Sequence, residues 1–409
     1  TPTEIWDDWQ SLLANYGAEL SFDRTRNQGD SLSIIGLTAS FPVVDGTSEW
    51  NVGTLTFNDN GDGSVTILMD DTTQFNVNMT GPEGQTGTVG MTFSLPGASI
   101  IAFGSMDTLR YDFDYPTMEL TDFTIEGDEI PEDLPVEISV ATSALTGFLE
   151  FTDPNTRDYI SENTIGLLTM AMNFSGETAE EGSGTFNLTM KDLDQTTTGT
   201  MGVFAANMSL AEMIEGGTRQ VGTGTHGEVT YDLNVDTPDG SFQMAAAAVS
   251  GEISGAITEG GIAYGGTTED VTMSIGGSTI PLPPLTFKMA QSGGTFAIPV
   301  VPGEDPQAFA LAFSMIGLEI DDMLWGMVDP MGQLPRDPIN LVVDTSGNLT
   351  IIEDFTAPEY AEGDVPSMPG TIEDLNINAL QLSIAGAELT GDGALTFDNS
   401  MGMPMPAGV

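Results

Sequence analysis

From about residue 19 onward, the apolar residues of this chain recur at every second position, and that period outweighs every other signal in the sequence. TFNLTMKD sets Phe186, Leu188 and Met190 on one side and Asn187, Thr189 and Lys191 on the other; EVTYDLNV repeats the pattern with Val229, Tyr231, Leu233 and Val235. Successive side chains of a strand point to opposite faces, so each segment has one dry face and one wet face. Parallel strands covered by helices on both sides read instead as unbroken apolar runs, so the alternation predicts antiparallel sheet. Gly opens segment after segment (GSVTI, GTVGMTF, GTFNLTM, GEVTYDL, GSFQMA, GNLTI, GALTF) without fixed spacing, which predicts a meander and not a solenoid with a countable repeat. In MELTDFTI the apolar phase slips from Met118 and Leu120 to Phe123 and Ile125, the mark of a bulge that curves the sheet.

The expected fold is therefore mainly β: a long, curved antiparallel meander, as an open or taco-like sheet or a sandwich, with an N-terminal amphipathic helix and a short helical insert. TEIWDDWQSLLANYG, residues 3–17, carries Ile5, Trp6, Trp9, Leu12, Leu13 and Tyr16 at spacings of three and four, with Thr3 as N-cap and Gly17 as stop. A helix lying on a membrane surface would carry Lys and Arg on its polar face, and this one has neither, so it is expected to pack on the sheet. LEIDDMLWGMV, 318–328, is the second helical candidate. EGDEIPEDLP at 126–135 reads as an acidic loop, and IPLPPL at 280–285 and VVPGEDP at 300–306 as breaks in the sheet. The expected organisation is a helix over 1–18, a main β region over 19–300 and a C-terminal β region over 301–409, with a soft boundary near 300.

Charge narrows the partners. Eight Lys and Arg stand against 61 Asp and Glu, a net of −53 over 409 residues. Binding nucleic acid or an anionic membrane takes clustered cations, and the basic residues here are scattered from Arg24 to Arg336. A field of this sign favours cations, basic partners and solubility in salt. With 40% hydrophobic residues the acid sits on a foldable chain. The absence of Cys excludes disulfides, thiolate metal sites and Cys nucleophiles together. The longest apolar run, AFALAFSMIGL at 308–318, falls well short of the about 20 residues a membrane helix needs, so no transmembrane segment is expected. An opening on Thr fits a mature chain after signal-peptide cleavage.

Three motifs invite a chemical reading. In TLTFNDNGDGSVTILMDD, 54–71, Asn58, Asn60, Asp62 and Gly63 fit the first half of a calcium loop, but the position of the bidentate Glu falls on Met69 and Asp70 is one residue out of register. Its flanks alternate by two, so a hairpin turn is expected, with at most a weak Ca2+ site on Asn58, Asn60 and Asp62. GTGTHG at 222–227 satisfies G-x-G-x-x-G but precedes a strand and not a helix; His226, the only His, is expected to face solvent in a Gly-rich turn. LVVDTSG at 341–347 resembles the aspartic protease signature around Asp344, a chemistry that needs a second carboxylate, and VVDGTS and NVDTPDG both depart from the pattern. DTSGN is expected as a hairpin turn between LVV and LTII. No nucleophile with its base, phosphate cradle or His-based metal cluster emerges, so neither catalytic residues nor a cofactor is nominated.

MLWGMVDPMGQLPRDPINLVVDTSGNLTI from Met323, LQLSIAGAELTGDGALTFDN at 380–399 and the opening TEIWDDWQSLL together resemble the domain of unknown function 2125 family, exported proteins of alphaproteobacteria, chiefly marine Roseobacter-type organisms. WGMVDPMGQLPRDP is the most specific part. The resemblance implies a cleaved signal peptide, a periplasmic or extracellular address and no established activity. Members usually continue with another strand and an amphipathic helix, so it also implies a further C-terminal portion beyond MGMPMPAGV, which reads as loop.

Three functions remain. The first is a non-enzymatic envelope protein whose curled sheet holds a lipid or other amphiphile on an apolar groove face, at positions such as Phe186, Leu188, Met190, Val229, Tyr231 and Leu233. Its support is 22 Met and 20 Phe against 4 Trp and 7 Tyr, since flexible side chains suit adaptable apolar grooves; an ordinary packed core would use the same residues. The second is a structural subunit that self-associates in salt or divalent cations, through cation bridges or strand addition. The third is a hydrolase working through paired carboxylates, none of which stands out among the 61.

Overall fold

A computed structural model describes residues 1–43, 45–81, 84–127, 136–153, 157–176, 182–203, 208–357, 360, 369–400 and 404–408. Most of the acidic loop expected at 126–135 and part of MGMPMPAGV lie outside these residues. The chain divides into two compact units, Thr1–Met208 and Ser209–Val409. The division falls at a place that composition does not mark; the Pro-rich stretches near 280 and 300 are instead the loops on either side of one strand.

The first unit opens with α1 (Pro2–Asn15), started by a capping box between Thr1 and Glu4 and ended after Tyr16 by Gly17 at φ 74°. The cap is Thr1 and not Thr3 because Pro2, which has no N–H to satisfy, takes the first helical position. There follow β1 (Glu19–Ser21), β2 (Arg24–Asn27), β3 (Ser31–Val43), β4 (Gly46–Asp59), β5 (Val65–Met69), β6 (Thr72–Thr80), β7 (Thr86–Ser94), β8 (Ser99–Ser105), β9 (Thr108–Gly127), β10 (Val136–Asp153), β11 (Asp158–Ser175) and β12 (Ser183–Thr200). β1 and β2 both pair with β3, and β4 lies on the other side of β3. The two ends of β4 pair with β5 and β6, β5 and β6 pair with β8 and β7, and both of these share β9. Thus β5–β6 and β7–β8 are each one long strand with a break, and order in space follows order in sequence through β12. At the first break the Asp70 carboxylate accepts the Thr54 N–H at 2.8 Å, beside Gly53 at φ 76°, where a side chain would collide with it. The phase slip in MELTDFTI is the expected bulge: pairing steps from Thr92–Asp122 to Phe93–Leu120 and leaves Thr121 out. Ile5 and Trp6 of α1 sink into a core with Leu32, Ile34, Leu55, Phe57, Val65, Ile67 and Phe151, with the Trp6 and Phe57 rings 6.0 Å apart.

The second unit contains α2 (Leu210–Glu215), β13 (Arg219–His226), β14 (Val229–Thr237), β15 (Gly240–Ala248), β16 (Ser250–Thr258), β17 (Gly261–Gly276), β18 (Leu285–Ile298), β19 (Gln307–Ile320), α3 (Asp322–Val328), β20 (Ile339–Ile351), β21 (Gly370–Ile384), β22 (Ala387–Asp398) and β23 (Met405–Gly408). β13 pairs with β16 and β14 with β15; β15 and β16 share β17, and the meander then runs in order to β23. α2 was not expected, although Ser209 and Glu212 form a capping box legible as S-x-x-E. The expected insert is shorter than 318–328, because Leu318–Ile320 stay in β19 and Asp321 caps α3. DTSGN is no hairpin turn: β20 runs through it, paired on both sides, and irregular pairing after Asp344 and Asn348 absorbs residues that a turn would favour. Residues 405–408, read from sequence as loop, form a short strand on β22.

Candidate functional site

A helix of 14 residues is about 21 Å long, whereas the strands of its sheet, up to 20 residues, run to about 65 Å. α1 therefore covers only part of the first unit's apolar face. Where that face continues past the helix it lines a partly open cavity of about 840 Å³. Trp9, Leu12 and Leu13, the side of α1 next to its buried Ile5–Trp6 edge, form one wall. The others come from Trp50 on β4, Met69 on β5, Thr73 and Phe75 on β6, Met91 and Phe93 on β7, Ile100 on β8, Tyr111, Phe113, Tyr115 and Met118 on β9, and Leu145, Leu149 and Phe151 on β10, with Leu95 and Met201 from loops. Among the described residues no charged side chain lines it.

Named contacts hold α1 against this wall. The Trp9 indole N–H donates to the Tyr111 hydroxyl at 2.8 Å, and the two rings lie 5.9 Å apart. Next to Trp9, Asp8 accepts from the Arg157 guanidinium at 2.8 Å, with side chains only 14% and 24% exposed. Arg157 also stacks 5.3 Å from the centre of the Phe151 ring, and its carbonyl accepts the N–H of the cavity residue Met201 at 3.2 Å. Phe113 folds over Gly147, its partner on β10; a Cβ there would meet the ring at 2.8 Å.

Among the described residues that line the cavity, the polar side chains are few and uncharged. Burial pushes the Tyr111 hydroxyl well above the ordinary phenol value, against the lowering effect of the Trp9 hydrogen bond. Burial alone raises Tyr115. The Tyr115 hydroxyl has no hydrogen-bond partner among the described residues. Thr142, directly across from the cavity residue Met118, is 6% exposed, and its Oγ1 likewise has no partner. Cross-strand neighbours share a face, so Thr142 lies on the cavity side of the sheet, but it does not line the cavity and its Oγ1 is sealed off from it. The path of the face is reset where Pro116 and Ala144 (φ 51°) interrupt regular pairing, which is how Tyr115 and Met118, three residues apart, both reach the cavity.

The groove residues expected from sequence lie elsewhere. Phe186, Leu188 and Met190 are half-buried on β12 of the first unit; Val229, Tyr231 and Leu233 are half-buried on β14 of the second; none of the six lines the cavity. The calcium-like stretch is a hairpin joining β4 to β5, with Gly61 and Gly63 at φ 78° and 94°. Turn contacts occupy its side-chain oxygens: Asn58 accepts from Ser31, Asn60 from Thr66, and Asp62 from the Ser64 hydroxyl and N–H, which hold its carboxyl below the usual value. Among the described residues no group of three or more acidic or His side chains is arranged to hold a metal. His226 does not face solvent. It closes β13 at 6% exposure, with Nδ1 2.8 Å from the Gly227 carbonyl and its ring packed where any side chain at 251 would sit. Asp344 lies within β20 and accepts from the Asn378 amide at 3.0 Å. No family model, curated protein or solved structure matches the chain.

Proposed function

We propose that the first unit is a non-enzymatic binding module that shelters the apolar part of a lipid or similar amphiphile between α1 and the sheet. The observation that carries the reading is a cavity of about 840 Å³ walled by apolar and aromatic side chains, within the roughly 300–1,000 Å³ of ligand pockets. An apolar cavity of about 150 Å³ takes a benzene; by that scale this one of about 840 Å³ accommodates roughly thirty carbon atoms, the size of two ordinary acyl chains of about fifteen carbons each. The resemblance to the domain of unknown function 2125 family, through WGMVDPMGQLPRDP, supports membership in that family and a periplasmic or extracellular setting, where such a carrier or sensor would meet lipid. Titration with the neutral dye N-phenyl-1-naphthylamine is the test. Saturable fluorescence enhancement that disappears in Leu145→Trp, which fills the cavity, and persists in Leu188→Asp, which lies outside it, is the expected result. No saturable enhancement, or enhancement indifferent to Leu145→Trp in a variant with unchanged circular dichroism, refutes the reading.

A second reading, self-association, rests on a different observation. β22 pairs with β23 only through Thr396, Phe397 and Asp398, so Ala387–Leu395 lack a strand on that side among the described residues. Open edges invite strand addition. On β17, β18 and β19 the cross-strand neighbours Tyr264, Phe296 and Leu311 are 62%, 41% and 54% exposed, an apolar row that a second copy could cover. At net −53 repulsion opposes association at low ionic strength, and salt or millimolar calcium relieves it. Light scattering that stays monomeric in both conditions removes this reading.

A further inference from the structure

We infer that the cavity selects an uncharged amphiphile bearing a hydroxyl, ester or similar neutral hydrogen-bonding group, and rejects fatty-acid anions and other anionic lipids; this rests on the binding function proposed above. Two features of the wall carry it. The first is charge. Among the described residues no cation lines the cavity, so a buried carboxylate or phosphate would give up its water without an ion pair or charged donor from them in return. Nor would an anion rest comfortably at the mouth, because the field of a chain with net charge −53 repels it there. The Arg157 guanidinium, which stacks on the lining residue Phe151, is already paired with Asp8.

The second feature is the Tyr115 hydroxyl. Tyr115 is half-buried, lines the cavity opposite Leu145 and has no hydrogen-bond partner among the described residues. Withdrawing a hydroxyl from water without a partner is costly, and burial raises the Tyr115 phenol. Thr142, opposite Met118 on the same pair of strands, carries a second unpaired hydroxyl, but its Oγ1 is sealed off from the cavity. A hydroxyl both donates and accepts, so a neutral ligand group can satisfy Tyr115 in either sense. A wholly apolar ligand fills the volume but leaves it unpaired.

The experiment displaces N-phenyl-1-naphthylamine from the full chain with dodecan-1-ol, dodecanoate and dodecane at pH 8. Dodecanol is expected to compete at least about tenfold better than dodecanoate, the anion's desolvation setting the gap. In Tyr115→Phe, dodecanol should weaken roughly fivefold for the hydrogen bond lost, while dodecane is unchanged. Dodecanoate competing as well as dodecanol, or Tyr115→Phe shifting alcohol and alkane alike, overturns the inference. Dye binding without displacement by dodecanol overturns it too, yet leaves the cavity as a binding site; failure of the dye to bind overturns both.

Discussion

Removing Arg157 should loosen α1 from the sheet, and the structure sets the size of the effect. At 2.8 Å the Asp8–Arg157 pair is mostly withdrawn from water, with 14% and 24% of its side chains exposed. Losing one partner of a fully buried pair costs about 3–5 kcal/mol, whereas an exposed pair is worth about 0–1; the partial exposure here places Arg157→Met at about 2–3 kcal/mol, including about 0.5–1 from the lost stacking on Phe151. Asp8→Asn retains a hydrogen-bond acceptor and should cost about 1 kcal/mol. In the double variant no charge is left stranded, so the cycle should give a coupling of about 1–2 kcal/mol that survives 1 M salt, since burial shields the pair from screening. Urea unfolding followed by Trp fluorescence suits the cycle, because Trp6, Trp9 and Trp50 all report on the first unit. Additive single variants, within about 0.5 kcal/mol, would show that the pair does not hold the helix.

Two further predictions concern the buried hydroxyls. Thr142→Val removes a buried Oγ1 that has no partner and keeps the side chain's shape, so the ligand-free protein should gain about 1 kcal/mol by denaturant titration; a loss of that size would show that the hydroxyl is paired in solution. Tyr111 and Tyr115 have folded-state values raised above 10.0, so their contribution to stability is present below pH 10 and is lost as pH climbs through the raised values. Unfolding free energy of the first unit should therefore fall above about pH 10, and less steeply in Tyr111→Phe; equal slopes in the two proteins contradict the assignment.

The fold was legible because a period of two survives in almost every segment, and because Ile5, Trp6 and Trp9 fall on one side of a helix whatever surrounds it. The break in MELTDFTI was readable from phase alone, and the structure leaves Thr121 unpaired there. DTSGN misled because local turn preference gave way to neighbours on both sides, β19 and β21, that no local reading contains. His226 misled likewise: a Gly-rich surrounding reads as exposed turn, but Gly251 on β16 leaves room for the ring to pack inward. Alternation distinguishes dry faces from wet ones, and the six expected groove positions are indeed half-buried. It does not tell which dry face outruns its cover. That depends on the length of α1 against β9 and β10, and on the interruptions at Pro116 and Ala144 that turn both Tyr115 and Met118 toward the cavity.

The central claim, that the first unit holds an apolar chain between α1 and its sheet, is tested most directly by crystals soaked with 12-bromododecan-1-ol. The account predicts an anomalous bromine peak inside the space walled by Trp9, Trp50, Phe93 and Leu145, with the alcohol oxygen within hydrogen-bond distance of Tyr115. A cavity closed by its own side chains, or bromine found only on outer surfaces such as the Tyr264–Phe296–Leu311 row, would contradict it.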